Sequence, residues 1–200
     1  MRQKTNPRSS KPFEMVEVMP HVFMSSWPPY IPDKITHTLN VTPKASTQRC
    51  KNGTWTTHKT MPIDPDGELF DMLHLLISFI IKTVEESCEP SPVTNILIYS
   101  EYGQNHAALA VLAYLCAVLR INVVDAFFML REKKKGISPS DKLMQQIQDY
   151  MQAAMDNQSP PFKECGNVSR EILRRILKEK GLHAMKKAET EDWMYEAGHY

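Results

Sequence analysis

One continuous segment near the middle of the chain limits the possible folds more than any other feature. The β-branched run Val93–Tyr99 predicts a buried strand, residues 100–106 form a polar loop that contains Gly103, and Ala107–Leu119 has the composition of a buried helix. A buried strand that leads directly into a helix is typical of α/β proteins, in which helices cover a largely parallel sheet. The loop amides would then lie at a helix N-terminus, a position that favours bound anions.

The rest of the pattern agrees with an α/β fold. Prolines are concentrated in the first third of the chain, which therefore predicts strands and loops rather than helices, with a strand over 35–41. Ser138 or Ser140 is a candidate N-cap for the last of the predicted helices. Apolar residues at helical spacing predict helices over 68–86, 123–132 and 138–155. We therefore expect a mostly parallel central sheet, covered on both faces and flanked by helices.

Composition divides the chain into three parts. Residues 1–12 carry four basic and no acidic side chains and are expected to form a flexible basic arm. Residues 13–159 form the predicted domain, and 160–200 a helical extension with a mobile acidic tail. The extension has an apolar stripe at helical spacing over 168–177, which predicts a helix that either docks on the domain or binds a partner.

Charge and cysteine content exclude several classes of protein. The net charge of +1 argues against a nucleic-acid-binding protein, and the apolar run Leu75–Ile81 is too short to span a membrane. No secretory signal is recognisable, so a cytoplasmic or nuclear location is expected. The four cysteines have no metal-ligand spacing, which predicts reduced thiols, no metal site and no cofactor.

The loop and its flanks resemble the cysteine-dependent dual-specificity phosphatases. That family has the loop pattern His-Cys-x5-Arg-Ser/Thr, with a glycine inside the loop. The similarity extends over about residues 13–157 in the family's order, which implies its α/β fold. It is carried by residues 22–25, 35–41, 61–64, 112–115, 125–131 and 136–140.

When the family's loop pattern is compared with this sequence position by position, nearly every reactive residue of the family corresponds to a different residue here. The family's histidine corresponds to Tyr99, its nucleophilic cysteine to Ser100, and its phosphate-binding arginine to His106. The hydroxyl residue that follows corresponds to Ala107, whereas the glycine is kept as Gly103. The implied phosphate loop comprises Ser100, Glu101, Tyr102, Gly103, Gln104, Asn105 and His106.

These replacements predict an inactive member of the family, a pseudophosphatase. A serine hydroxyl is far less acidic than the thiol whose anion the reaction needs, and His106 lacks the planar fork with which arginine binds two phosphate oxygens. Ala107 has no hydroxyl to assist the leaving group. The stretch 61–64 resembles the one that carries the general acid, so Asp64, or Asp66 two residues later, could still supply a proton.

We therefore expect a protein-binding or scaffold module, whose partner could be a phosphoprotein or a kinase. The loop could keep some phosphate affinity through its amides and Asn105, or could be a structural relic. The alternative is an unconventional phosphatase or hydrolase that uses Ser100 with Asp64 and His106. A serine-hydrolase elbow would need glycines where this sequence has Ile98 and Tyr102.

Overall fold

Five strands and four helices form the part of the chain that the computed structural model describes, which is residues 14–43, 56–64, 67, 69–86 and 94–156. The strands are β1 (Met15–Met19), β2 (Val22–Ser25), β3 (His37–Asn40), β4 (Thr57–Thr60) and β5 (Ile96–Tyr99). The helices are α1 (Phe70–Glu86), α2 (His106–Leu119), α3 (Val123–Lys133) and α4 (Asp141–Asp156).

The strands form one mixed sheet in the order β1-β2-β5-β3-β4. Only the β1–β2 pair is antiparallel, while β5 runs parallel to both β2 and β3, with Ser25 and Asn40 opposite Tyr99. A strand that has parallel neighbours on both sides must be joined to them by crossover connections rather than by tight hairpins. This arrangement confirms the predicted α/β fold with a mostly parallel central sheet.

All four helices contribute to one apolar core on one face of the sheet. Ile96 and Ile98 of β5 belong to this core, and α2 is buried along nearly its whole length against β2 and β5. Among the described residues, no single helix is long and apolar enough to cross a bilayer. Helices α2 and α3 meet that length and composition only as a pair bent by 118°.

Among the residues described, a loop rather than a helix covers the opposite face of the sheet. There Leu97 and Tyr99 of β5 pack against Ile31 and Ile35, and Trp27 adds its ring at the margin of this cluster. Because side chains alternate along a strand, β5 supplies both cores and is buried at all four positions. The sheet is thus covered on both faces, as predicted, but its two covers differ in kind.

Several predicted boundaries differ from the observed ones. Helix α1 begins at Phe70 rather than at 68, and α4 begins at Asp141 rather than at 138. Ser140 therefore directly precedes α4, whereas Ser138 lies in the irregular segment before it, where its amide donates to the Gln104 carbonyl at 2.9 Å. The predicted arm, extension and tail lie outside the described residues, and those domain boundaries stay predictions.

Candidate functional site

The strand β5, the loop 100–105 and helix α2 follow one another at the carboxyl edge of the sheet. Because β2 and β3 run parallel to β5, their carboxyl ends meet at the same edge. Open α/β sheets bind ligands at this edge, outside the ends of their central strands. The structure therefore brings the loop residues predicted from the sequence to the place where such a fold carries a binding site.

Ser100 forms the floor of the loop. Its side chain is 2% exposed, and its Oγ accepts hydrogen bonds from the Gly103 and Ala107 amides, each at 3.2 Å. Two backbone donors thus converge on one oxygen at the N-terminus of α2, where the helix dipole adds to their field. The geometry would stabilise negative charge at this atom, but the atom present is a neutral hydroxyl oxygen.

Gly103 lets the loop turn back against the end of β2. Its φ of +65° lies in the left-handed region, and a Cβ at this position would lie 2.5 Å from the Ser26 nitrogen and 2.6 Å from the Ser25 carbonyl oxygen. Backbone atoms cannot move aside as the end of a flexible side chain can. Glycine is therefore required here for its conformation and for its size.

Backbone hydrogen bonds hold both flanks of the loop. On one side the Trp27 amide donates to the Glu101 carbonyl at 3.3 Å. On the other side Ser138 donates to Gln104, and the Ser140 amide donates to Asn105 Oδ1 at 3.2 Å. The Asn105 side chain, proposed above as a phosphate ligand, thus ties the loop to the start of α4. Sequence reasoning missed Trp27 as an anchor, since the contact spans more than 70 residues of chain and has no local signal.

His106 opens α2, where the resemblance places the family's arginine. Its side chain is half-buried, and its Nε2 is a buried atom without a hydrogen-bond partner among the described residues. Burial lowers the pKa of His106 from its ordinary value, because a charged imidazolium would lose hydration there. His106 is therefore neutral near pH 7. Ala107 is fully buried.

The mouth of the loop consists of Glu101 and Tyr102. Both side chains are exposed, with Tyr102 at 72%, and the Tyr102 hydroxyl hydrogen-bonds with the Glu101 carboxylate. This hydrogen bond and the negative charge raise the pKa of Tyr102 above its ordinary value. Below the mouth, Tyr99 packs edge-on against Trp27, with 5.3 Å between ring centroids.

Asp64 follows β4 at the same edge of the sheet as the loop. The segment between β4 and Asp64 is held to the end of β3, since the Met61 amide donates to the Asn40 carbonyl and the Ile63 amide to the Val41 carbonyl. The Asp64 side chain is exposed. Asp66, the second candidate for a general acid, lies outside the described residues. Among the residues that are described, no group of three or more His, Cys, Asp or Glu side chains is arranged to hold a metal ion.

Comparison with known proteins finds relatives of one kind. The chain is 28% identical over 118 residues to human dual specificity protein phosphatase 9, and 26% identical over 133 residues to dual specificity protein phosphatase 7 of Rattus norvegicus. These matches cover 58% and 63% of this chain, but only 29% and 30% of the two relatives. The matched segment is thus less than a third of either relative.

Solved structures show the same fold at low sequence identity. The human tyrosine phosphatase-like serine/threonine/tyrosine-interacting protein superposes with a TM-score of 0.61 at 18% identity, over 70% of this chain and 97% of that one. Human DUSP28 superposes with a TM-score of 0.57 at 19% identity, over 70% and 95%. The family model "Dual specificity phosphatase, catalytic domain" matches residues 26–153, which include every described element from β3 to α3. The chain therefore belongs to the dual specificity phosphatase catalytic domain family.

Proposed function

We propose that this domain is a catalytically inactive member of its family that binds a protein partner. The observation that carries the proposal is Ser100, a hydroxyl at the focus of two amides and a helix N-terminus. That environment lowers the pKa of a thiol, from about 8.5 into the range in which it ionises near neutral pH. A serine hydroxyl is too weak an acid to ionise there, so the loop has no anionic nucleophile.

The second missing group is the cation. Arginine would bind two phosphate oxygens at once and would stabilise charge that develops during transfer. His106 is neutral near pH 7 and presents at most one donor. Among the described members of the loop, Glu101 carries the one formal charge, and that charge is negative. The loop therefore lacks both an anionic nucleophile and a phosphate-binding cation.

Cys116 offers no replacement nucleophile. It is the one cysteine among the described residues, lies ten residues beyond His106 on α2, and is buried. Burial raises the pKa of its thiol to about 12, so that the thiolate is negligible at neutral pH.

What remains supports binding. The loop is held on both flanks and presents an exposed aromatic ring and a carboxylate, whereas its floor is closed by Ser100. Rigid surfaces that carry exposed aromatic side chains bind partners at a low cost in conformational entropy. The proposed activity is therefore recognition of a protein, in a scaffold or in competition for a signalling partner. A phosphoprotein or a kinase is the proposed class of partner.

Hydrolysis of p-nitrophenyl phosphate tests the inactivity. We expect the same background rate for the native protein and for Ser100→Ala. Turnover above background that Ser100→Ala abolishes would establish the alternative, an unconventional phosphatase that uses Ser100 with Asp64 and His106, and would contradict the proposal.

Restoring both missing groups tests the reason for inactivity. We expect the double variant Ser100→Cys with His106→Arg to hydrolyse p-nitrophenyl phosphate above background. The single variant Ser100→Cys should be about a hundredfold slower, because one charge-stabilising donor contributes about 3 kcal/mol in comparable sites. His106→Arg alone is the matched control and should remain at background. A folded double variant without turnover would show that these two positions do not account for the loss.

A further inference from the structure

The exposed mouth of the loop is chemically unlike a phosphate site. Glu101 and Tyr102 are adjacent and exposed, and the phenol hydroxyl hydrogen-bonds with the carboxylate. A carboxylate accepts up to about four hydrogen bonds, so this one contact leaves most of its capacity unused. The result is a negatively charged group next to an exposed aromatic ring.

The backbone beneath this pair is fixed. The Glu101 carbonyl accepts from the Trp27 amide, and one residue beyond Tyr102 the loop is pressed against Ser25 and Ser26 at Gly103. A ligand that contacts the pair would not have to order the loop, which removes part of the entropic cost of association. The mouth is therefore preorganised.

The charge of the mouth favours a cation. A phosphate dianion would be repelled by the Glu101 carboxylate, and His106, whose pKa is lowered by burial, adds little positive charge to offset that repulsion near pH 7. The turn at residues 135–136 lies close to the other flank of the loop, since a Cβ at Gly136 would be 4.0 Å from Gln104 Nε2. This turn carries the exposed cation Lys135. The negative surface is thus on the flank of the loop that Trp27 anchors.

We propose that Glu101 and Tyr102 form a binding site for an arginine side chain of the protein partner, an inference that rests on the proposed binding function. The arginine guanidinium is planar, forms two parallel hydrogen bonds with a carboxylate and stacks on an aromatic ring. Lysine matches the charge but not the plane. The loop that binds phosphate in active relatives of this type would then recognise the opposite charge.

Titration of the full-length, ¹⁵N-labelled chain with a short blocked peptide tests this site. The probe contains one arginine among glycines, and its matched control contains citrulline, which keeps the shape of arginine but not its charge. We expect saturable shifts of the amide signals of residues 101–103 with the arginine peptide. Binding of the citrulline peptide should be at least about fivefold weaker, and added salt should weaken the arginine peptide.

Variants identify the two groups. Glu101→Gln and Tyr102→Ala should each raise the dissociation constant at least about fivefold, because each removes one of the two interactions. Tyr102→Phe keeps the ring and should bind within about twofold of the native protein. Val124→Ala, an exposed change on α3 outside the loop, is the matched control and should also bind within about twofold.

Three results would overturn the inference. These are equal binding of the citrulline peptide, absence of shifts at residues 101–103, and tighter binding of a phosphotyrosine peptide to the same amides. None of these results restores catalysis. If the phosphotyrosine peptide bound more tightly, the proposal of an inactive domain that binds a protein partner would therefore still stand. Turnover that Ser100→Ala abolishes would contradict inactivity but would leave the arginine titration unchanged. The two proposals can therefore fail separately.

Discussion

Gly103 is the residue at which the loop makes its closest approach to the sheet, and Gly103→Ala tests that contact. The new Cβ would lie 2.5 Å from the Ser26 nitrogen, and the left-handed φ adds strain of about 1 to 2 kcal/mol. We expect the free energy of unfolding, measured by urea denaturation, to fall by more than about 2 kcal/mol.

Gly136 provides the matched control for this prediction. Its φ of +78° is also left-handed, but the nearest atom to an added Cβ is Gln104 Nε2 at 4.0 Å. Gly136→Ala should therefore lose only the strain, about 1 kcal/mol. Equal losses for the two variants would show that the approach to Ser26 is not what requires Gly103.

His106 should make the stability of the domain depend on pH. Because burial lowers its pKa in the folded state, the unfolded state binds the proton more readily as pH falls through about 6.5. The stabilising contribution is thus present above that pH and is lost below it, until the lower folded pKa is reached. We expect the drop in urea midpoint from about pH 8 to about pH 5 to be smaller in His106→Gln. Identical profiles for the two proteins would contradict this assignment.

At the same scale, the sequence predicted where Ser100 and His106 lie in the fold but not which residues hold the loop in place. The strand, glycine and helix pattern was enough to place Ser100 and His106 at a helix N-terminus. It could not show that Asn105 binds the Ser140 amide or that Trp27 holds Glu101. These bonds join segments that are distant along the chain, so no local pattern encodes them.

Helix α1 offers a comparison between two adjacent leucines at the scale of an element. Leu76 is fully buried in the larger core, whereas its neighbour Leu75 is 60% exposed. Leu76→Ala should lower the free energy of unfolding by about 2 to 5 kcal/mol, because it leaves a cavity. Leu75→Ala should change it by less than about 0.5 kcal/mol. Chemical denaturation of both variants measures the difference, and similar losses would place the buried face of α1 elsewhere.

Elements were predicted most accurately where apolar residues dominate their composition or follow the helix period. The apolar composition of 107–119 and the helix period of 123–132 gave α2 and α3 to within one residue at either end, and the β-branched run correctly contains β5. Strand β4, with the sequence Thr-His-Lys-Thr and all four residues exposed, carries no apolar alternation and was not identified. It is an edge strand, and its pairing with β3 comes from the tertiary structure.

For the whole molecule, the two cores should unfold together. Strand β5 contributes Ile96 and Ile98 to one core, and Leu97 and Tyr99 to the other. Losing either core therefore removes support from the other. In a background with the other two tryptophans changed to phenylalanine, Trp27 fluorescence and far-ultraviolet circular dichroism should give coincident urea transitions. An earlier fluorescence transition would show that the loop cover of the second face unfolds independently.

The sequence by itself determined the α/β class, the order of the main elements and the chemical identity of the loop, with a hydroxyl at Ser100 and an imidazole at His106. Local period and residue type carry that information directly. The tertiary structure alone decided that the helices share one face of the sheet, that loop 26–36 covers the other, and that Glu101 and Tyr102 face outward while His106 is half-buried. Burial and long-range pairing depend on which distant segments meet. They lower the pKa of His106 and leave the charged Glu101 exposed.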